Sequence, residues 1–483
     1  MRSVLIALAT LCTCVATLSQ AMARGEERPP NVLFIISDDL TASALSCYGN
    51  SQCKTPAIDA LAERGTRFTR AYCQYSVCGP SRASMMSGLY PETLEIMNNN
   101  ASSKINKNLG KRATLGQAFK RHNYLSVRVS KIYHMLIPGD ITNGVHGADH
   151  PGSWTERHSF QAPEWGSVGA HEHLSNETLV TKGKNKHYAL GFGTAFYVVK
   201  AEGDGANQID VQATDKAIEI LAREHASPFF LALGLVRPHV PLVAPADYFK
   251  PYPEAKMRLP VTPEGDWDDI PLAGRPRTSE RSGLDSQGKK RKVLQAYYAS
   301  VSFMDAQVGR VLKALDDLGL RDNTIVVFTS DHGYHLGEHE FWQKASLHEE
   351  SARIPLIIAA PGKRPAVCSS LAQLIDLYPT LGEMCGLEVQ DHLQGRSLAP
   401  MLDDPQARIH EFVHCAGGRQ PNVSHLIRTE RHAYMAWANG TAELYDMDAD
   451  PKQFTNLTEA EGSGEVLATL KGHLKSHLEQ VAH

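Results

Sequence analysis

Val32-Leu33-Phe34-Ile35-Ile36-Ser37-Asp38-Asp39 is an apolar run that stops abruptly at a polar cluster. The run is too short for a helical core, is rich in β-branched residues and has no polar alternation, so it reads as a strand buried on both faces, the kind found in parallel sheets. The same grammar returns at Ile325-Val326-Val327-Phe328, closed by Ser330-Asp331-His332-Gly333. It returns again from Pro228 to Leu235, followed by Arg237-Pro238-His239. Open α/β sheets bind ligands beyond the carboxyl ends of their strands. Three polar clusters remote in sequence are therefore expected to meet at one site.

Helical patterns fill the intervals. From about Lys292 to Leu318, Val301, Met304, Val308, Val311 and Leu315 recur at steps of three and four, a stripe that must face a core. Ala213 to Arg223 gives a shorter helix before the Pro228 strand, completing the alternation of an α/β chain with a large mixed, mostly parallel sheet flanked by helices. Residues Pro138 to Asn207 and Pro251 to Gln287 show no period and read as long loops near a site. Beyond Pro361 the pattern shifts to short strands and helices, ending in an amphipathic helix from Gly464 to Val481. This predicts a catalytic domain over residues 24–365 and a smaller C-terminal α+β subdomain over 366–483.

The chain of 483 residues is 42% hydrophobic and 21% charged with a net charge of -4, an ordinary globular composition. That balance argues against a nucleic-acid binder or a membrane-surface protein, while a local cationic pocket for an anion stays compatible with it. Arg2, the apolar run Val4 to Leu18 and the small-x-small site Ala21-Met22-Ala23 read as a secretory signal over residues 1–23. No later segment is apolar enough to span a bilayer, so the mature chain is expected to be exported and free of the membrane. Cleavage removes Cys12 and Cys14 of nine cysteines and leaves Cys47, Cys53, Cys73, Cys78, Cys368, Cys385 and Cys415. An odd number in an oxidising compartment leaves at least one thiol unpaired or chemically committed. Cys47 and Cys53 are near enough in sequence to pair, and two reduced buried thiols fit equally well. Asn100, Asn176, Asn422, Asn439 and Asn456 begin glycosylation sequons, which matter only on a eukaryotic route.

The most specific string is Cys78-Gly79-Pro80-Ser81-Arg82, running on to Ser87-Gly88. It resembles the signature of the formylglycine-dependent sulfatases, in which a cysteine in C-x-P-S-R is oxidised to formylglycine (3-oxoalanine) and a Thr/Ser-Gly closes the motif. Other segments match that family in order. Lys131-Ile132-Tyr133-His134, Arg237-Pro238-His239-Val240-Pro241, Asp331 through His339 and Phe341-Trp342-Gln343-Lys344 resemble its iduronate-2-sulfatase branch and bacterial relatives. The resemblance implies an alkaline-phosphatase-like fold, with Asp38, Asp39, Asp331, His332 and an oxygen of modified Cys78 as metal ligands. Hard oxygen donors in a flexible shell suit Ca²⁺. A zinc reading of His332, His335 and His339 is set aside, because glycines interrupt any helical presentation and the other clusters offer oxygens. Carried over residue by residue, Lys131, His134, His239 and Lys344 would contact the sulfate, and Arg82 would hold the formylglycine. Ser130 stands where the family often has a glycine before Lys-x-x-His, and the two long loops match too poorly to transfer substrate contacts.

The chemistry so implied is hydrolysis of a sulfate ester on a carbohydrate or small molecule, with catalytic roles for Cys78, Arg82, Lys131, His134 and His239. Fixed cations neutralise the sulfuryl oxygens as charge builds, and covalent catalysis divides one displacement into two. Leaving-group protonation falls to His239 or His134. The partners implied are a sulfated carbohydrate and a formylglycine-generating maturation enzyme, in a periplasmic or secreted location, or a lysosomal one in a eukaryote. Two alternatives stand beside this reading: a phosphodiesterase or phosphonate hydrolase of the same superfamily, and a carbohydrate-binding relative that keeps an unmodified Cys78.

Overall fold

The computed structural model describes residues 29–182, 188–388, 390–419 and 421–482; the expected signal segment, residues 1–23, lies outside them. An eight-stranded sheet organises the chain. Its strands are β1 (Asn31–Asp38), β2 (Thr66–Tyr72), β3 (Leu125–Ser130), β4 (Glu156–His158), β5 (Phe229–Pro238), β6 (Thr324–Ser330), β7 (Arg353–Ala359) and β8 (Ala366–Gln373), in the spatial order β8-β2-β7-β6-β1-β5-β3-β4. All neighbours run parallel except the two pairings of β7, which are antiparallel. The sheet is thus mixed and mostly parallel.

Strand β1 sits at the centre and every one of its residues is buried. Its side chains divide between the two faces: Val32, Phe34 and Ile36 enter one core, Leu33 and Ile35 the other. A continuous apolar run is what a strand covered on both faces requires. The long helix Gln287–Asp317 covers the second face. Its stripe Val301, Met304, Val308, Val311 and Leu315 is fully buried, each side chain contributing about 1.5–3 kcal/mol relative to exposure. Ser286 caps its start by accepting from Lys289 N at 3.3 Å. The other face carries the helix Cys78–Ser87, all ten residues of which are buried.

The described residues between Pro138 and Asn207 hold more regular structure than their composition promised. Within them Gly169–His173 and Tyr197–Ala201 pair with Leu242–Pro245 in a three-stranded sheet, and β4 extends the large sheet. These strands are three to five residues long and largely part-exposed, too short to show a period. The large sheet also continues past the division expected between 365 and 366, because β8 pairs with β2. The C-terminal antiparallel sheet comprises β9 (Phe412–Arg419), β10 (Asn422–Thr429), β11 (His432–Ala436) and β12 (Ala442–Asp446). The helix Gly464–Val481 packs on it through Leu470 against Ile427, Tyr434 and Leu444. All seven described cysteines are free thiols, Cys47 and Cys53 among them. No helix among the described residues is long and apolar enough to cross a membrane.

Candidate active site

Four adjacent parallel strands, β6, β1, β5 and β3, end at one place. Register aligns the polar clusters that close them: Ser37 lies opposite Ser330, Asp38 opposite Pro238, and Ser130 opposite Gly234. Asp38 and Asp39 leave β1, Asp331 and His332 leave β6, His239 follows β5, and Lys131 follows β3. Cys78 enters from the other direction as the first residue of its buried helix. The positive end of that helix dipole therefore faces the cluster, a setting that favours negative charge at residue 78.

Cys78 Sγ lies 3.2 Å from His332 Nε2 and 3.8 Å from Asp39 Oδ1, and it accepts from Lys344 Nζ at 3.1 Å. Lys344 also donates to Asp39 Oδ1 at 2.5 Å, and Lys131 is ion-paired with Asp38. Arg82, fully buried, donates from Nε to Asp331 Oδ2 at 2.7 Å and from its terminal nitrogens to the carbonyls of Lys131, Ile132 and Ser37. It thus ties the ends of β1, β3 and β6 to the Cys78 helix. Gly79 is held where a Cβ would fall 2.2 Å from Ser102 Oγ, and its N–H donates to Asn99 at 2.8 Å. Gly88 ends the helix at φ 70°, a left-handed residue with its N–H on Ser84 O.

Burial opposes charge throughout the site, and its neighbours decide the outcome. Burial would raise Asp38, but Lys131, His239, Arg82 and Lys344 hold it well below the usual carboxylate range. Asp39 stays raised, because burial outweighs the help of Lys344 and His332. Burial lifts the Cys78 thiol well above its ordinary value despite Lys344, so an unmodified cysteine here is a thiol, a poor nucleophile. Burial and then Lys131 push His134 down to about 3. Burial and Lys344 hold His239 well below the usual imidazole range. His239 Nδ1 donates to Val240 O at 2.6 Å, leaving Nε2 3.7 Å from Asp39 Oδ2. Burial thus disfavours the charged form of both histidines.

The donor set fits a divalent cation. Ligand atoms of Asp38, Asp39, Cys78 and His332 converge within 4.8 Å of one another. Asp38 Oδ1 and Asp39 Oδ2 are buried without a hydrogen-bond partner, a deficit that a cation removes. His332 Nδ1 donates to Gly333 O at 2.8 Å, which orients Nε2 toward the cluster. Asp331 stands at its edge: Oδ2 takes Arg82, while Oδ1 accepts from the N–H groups of Asp39 and His332. His335 and His339 diverge from this place, His339 pairing with Asp266 at 2.9 Å.

Residues that position the site include Asp210 and Glu164, which carry no signal in the sequence, beside Arg237 of the Arg237-Pro238-His239 motif. Asp210, at the start of the helix Ile209–Leu221, accepts from the N–H groups of Val236 and Arg237 at 2.7 and 2.9 Å. Buried Arg237 pairs with Glu164 at 2.6 Å and donates to the carbonyls of His239 and Pro241. Together they fix the turn that carries His239. Tyr297 of the long helix donates to Asp39 O at 2.6 Å and steadies the left-handed φ of 62° at Asp39.

Residues 30–387 match the family model described as Sulfatase, and residues 337–480 match one described as N-sulphoglucosamine sulphohydrolase, C-terminal. The chain is 31% identical to iduronate 2-sulfatase of Mus musculus, covering 95% of this chain and 96% of that protein. It is 31% identical to a sulfatase of Formosa agariphila, covering 91% and 85%. Among solved structures, the phosphonate monoester hydrolase of Agrobacterium radiobacter superposes with a TM-score of 0.76 at 22% identity, over 94% of this chain and 96% of that one, a likeness of fold. With a family model spanning most of its length and relatives aligned almost end to end, the chain belongs to the sulfatase family: it is a sulfuric ester hydrolase built on the alkaline-phosphatase-like fold.

Proposed function

We propose that the protein is an exported sulfatase that removes sulfate from a sulfated carbohydrate, in the manner of iduronate-2-sulfatase, using formylglycine at position 78 and calcium. The observation that carries this reading is the position of Cys78 at the start of a buried helix, within 3.8 Å of Lys344, His332 and Asp39. Its raised thiol is unsuited to attack as it stands. Converted to formylglycine, residue 78 would supply an oxygen nucleophile for sulfur, the hydrated aldehyde. Asp38, Asp39, His332 and residue 78, with Asp331 beside them, would hold Ca²⁺, whose charge is set against the sulfuryl oxygens.

The remaining chemistry belongs to the side chains. Lys131 and Lys344 place ammonium groups beside the carboxylates and aim charge at the anionic ester. Arg82 locks the strand ends in register. Burial disfavours the charged form of His134 and His239; an anionic sulfate raises their proton affinity, so that one of them can serve as the acid that protonates the leaving oxygen. The sugar specificity rests on the similarity to iduronate 2-sulfatase. Export rests on the signal read in residues 1–23.

The test is protein co-expressed with a formylglycine-generating enzyme. Mass spectrometry of the peptide spanning residues 75–82 should show the aldehyde form, and defined sulfated oligosaccharides should be desulfated. Cys78→Ala should abolish turnover. A plain cysteine in active protein would overturn the mechanism, and turnover of an aryl phosphate diester well above that of an aryl sulfate would favour the phosphonate-hydrolase alternative.

A further inference from the structure

We propose that Glu92, His414, His425 and His477 form a separate metal site for a zinc-like dication, which ties the C-terminal sheet and helix to the catalytic domain. The four residues come from three remote places. Glu92 lies in the turn Pro91–Leu94 that follows the Cys78 helix. His414 and His425 lie on the paired strands β9 and β10, and His477 lies on the helix Gly464–Val481. Ligand atoms of Glu92, His414 and His477 lie within 4.8 Å of one another. His425 Nδ1 is 3.0 Å from His414 Nε2, and each of those nitrogens is 3.9 Å from Glu92 Oε1.

Ring packing alone does not account for this cluster. His414 stacks on His477 with centroids 3.8 Å apart, and Tyr90 meets His477 edge-on at 4.5 Å, which explains the burial of the rings. It leaves a carboxylate unexplained. Both oxygens of Glu92 are buried without a hydrogen-bond partner, as is Nε2 of His477, itself only 3% exposed. Among the described residues no lysine or arginine pairs with Glu92; the basic groups beside it are two imidazoles, each with a nitrogen 3.9 Å from Oε1. Buried polar atoms are seldom left unserved, and one cation serves all of these together.

The donor set decides the kind of ion. Three imidazoles and one carboxylate suit Zn²⁺ and its borderline neighbours, whereas Ca²⁺ prefers an all-oxygen shell. Four protein ligands make a closed site, the structural rather than the catalytic pattern. Ligands of a tetrahedral ion with bonds of about 2.0–2.1 Å stand roughly 3.3 Å apart, so the His414 and His425 nitrogens, 3.0 Å apart, are already near ligand spacing and Glu92, 3.9 Å from each, has to close in by only about 0.6 Å. The side chains of Glu92 and His425, 14% and 15% exposed, open the way in.

The experiment uses the full enzyme, freed of metal by chelation and then saturated with calcium so that the catalytic carboxylates are occupied. Zn²⁺ is added alone, unbound metal is removed, and retained zinc is measured by mass spectrometry; Co²⁺ absorption reports the coordination geometry. The wild type should retain one zinc per chain and show a tetrahedral cobalt spectrum. Glu92→Gln, close in shape to the native residue, and His477→Gln should each weaken zinc binding at least about tenfold while aryl sulfatase activity with calcium stays unchanged. If His477→Gln does not fold, Glu92→Gln carries the test alone. A wild type that retains no zinc overturns the proposal, as do variants that retain it fully, which would assign the ion to the catalytic carboxylates.

Discussion

Ser130 shows how much one residue at the site can be asked to bear. It occupies φ 59° between β3 and Lys131, a left-handed conformation that costs an L-residue about 1–2 kcal/mol, and its hydroxyl is buried without a hydrogen-bond partner. The chain is turned there because Lys131 must pass over β5 at Gly234, where a Cβ would fall 2.0 Å from Lys131 O. Ser130→Gly relieves the strain at the expense of a freer unfolded chain. Denaturant unfolding should show a gain of about 0.5 kcal/mol or more, with kcat unchanged; a loss would mean that the serine side chain is needed. Lys344 is the opposite case, a half-buried cation whose neighbours Asp39 and Cys78 lie in the reacting cluster. Lys344→Ala should lower kcat/KM for an aryl sulfate about 10²–10³-fold. Activity within threefold of wild type would remove Lys344 from the sulfate cradle.

At the scale of elements, the helix Ile209–Leu221 does more than cover the sheet. Its Asp210 clamps the end of β5, and burial, only partly offset by Arg237, raises that carboxyl to about 6. The folded chain therefore keeps a proton that the unfolded chain gives up near pH 4. The stability this contributes is complete below about pH 4 and is lost as pH rises through about 6, a change of up to roughly 3 kcal/mol. Asp210→Asn cannot titrate. Urea unfolding across pH 4 to 6 should show wild type losing stability relative to Asp210→Asn over that window, and parallel profiles would contradict the assignment. The amide also presents an N–H₂ to one of two backbone donors, so the turn bearing His239 should loosen and KM should rise.

At the scale of the molecule, the site is a convergence of distant segments around a charge problem. Asp38, Asp39 and Asp331 would repel one another in a dry cavity without Arg82, Lys131, Lys344 and a bound cation. Binding that favours the folded state stabilises it by mass action, about 2.7 kcal/mol at a hundredfold excess over Kd. Calcium should therefore raise Tm over an EGTA-treated sample, and Asp39→Asn should abolish most of that shift; a shift unchanged in the variant would place the ion elsewhere. Much of this architecture was legible beforehand. The apolar runs of β1, β5 and β6, the stripe of the long helix and the helix Gly464–Val481 appear in the structure close to their expected bounds. A strand or helix whose face is wholly buried writes that fact into its own residues as unbroken or periodic apolarity. The polar clusters that close β1, β5 and β6 were legible because they stand at the carboxyl ends of buried parallel strands, where open α/β sheets gather their sites, although Asp38-Asp39 read alone could equally cap a helix. The short strands between 138 and 207, the passage of β8 into the large sheet and the clamps Asp210 and Glu164 were not. Their roles depend on partners tens to hundreds of residues away, and a carboxylate that will be buried against an arginine looks, in the chain, like any surface acid. Only the packed sheet brings such pairs within hydrogen-bonding distance, and that same packing gathers Glu92 with three histidines from the far end of the chain.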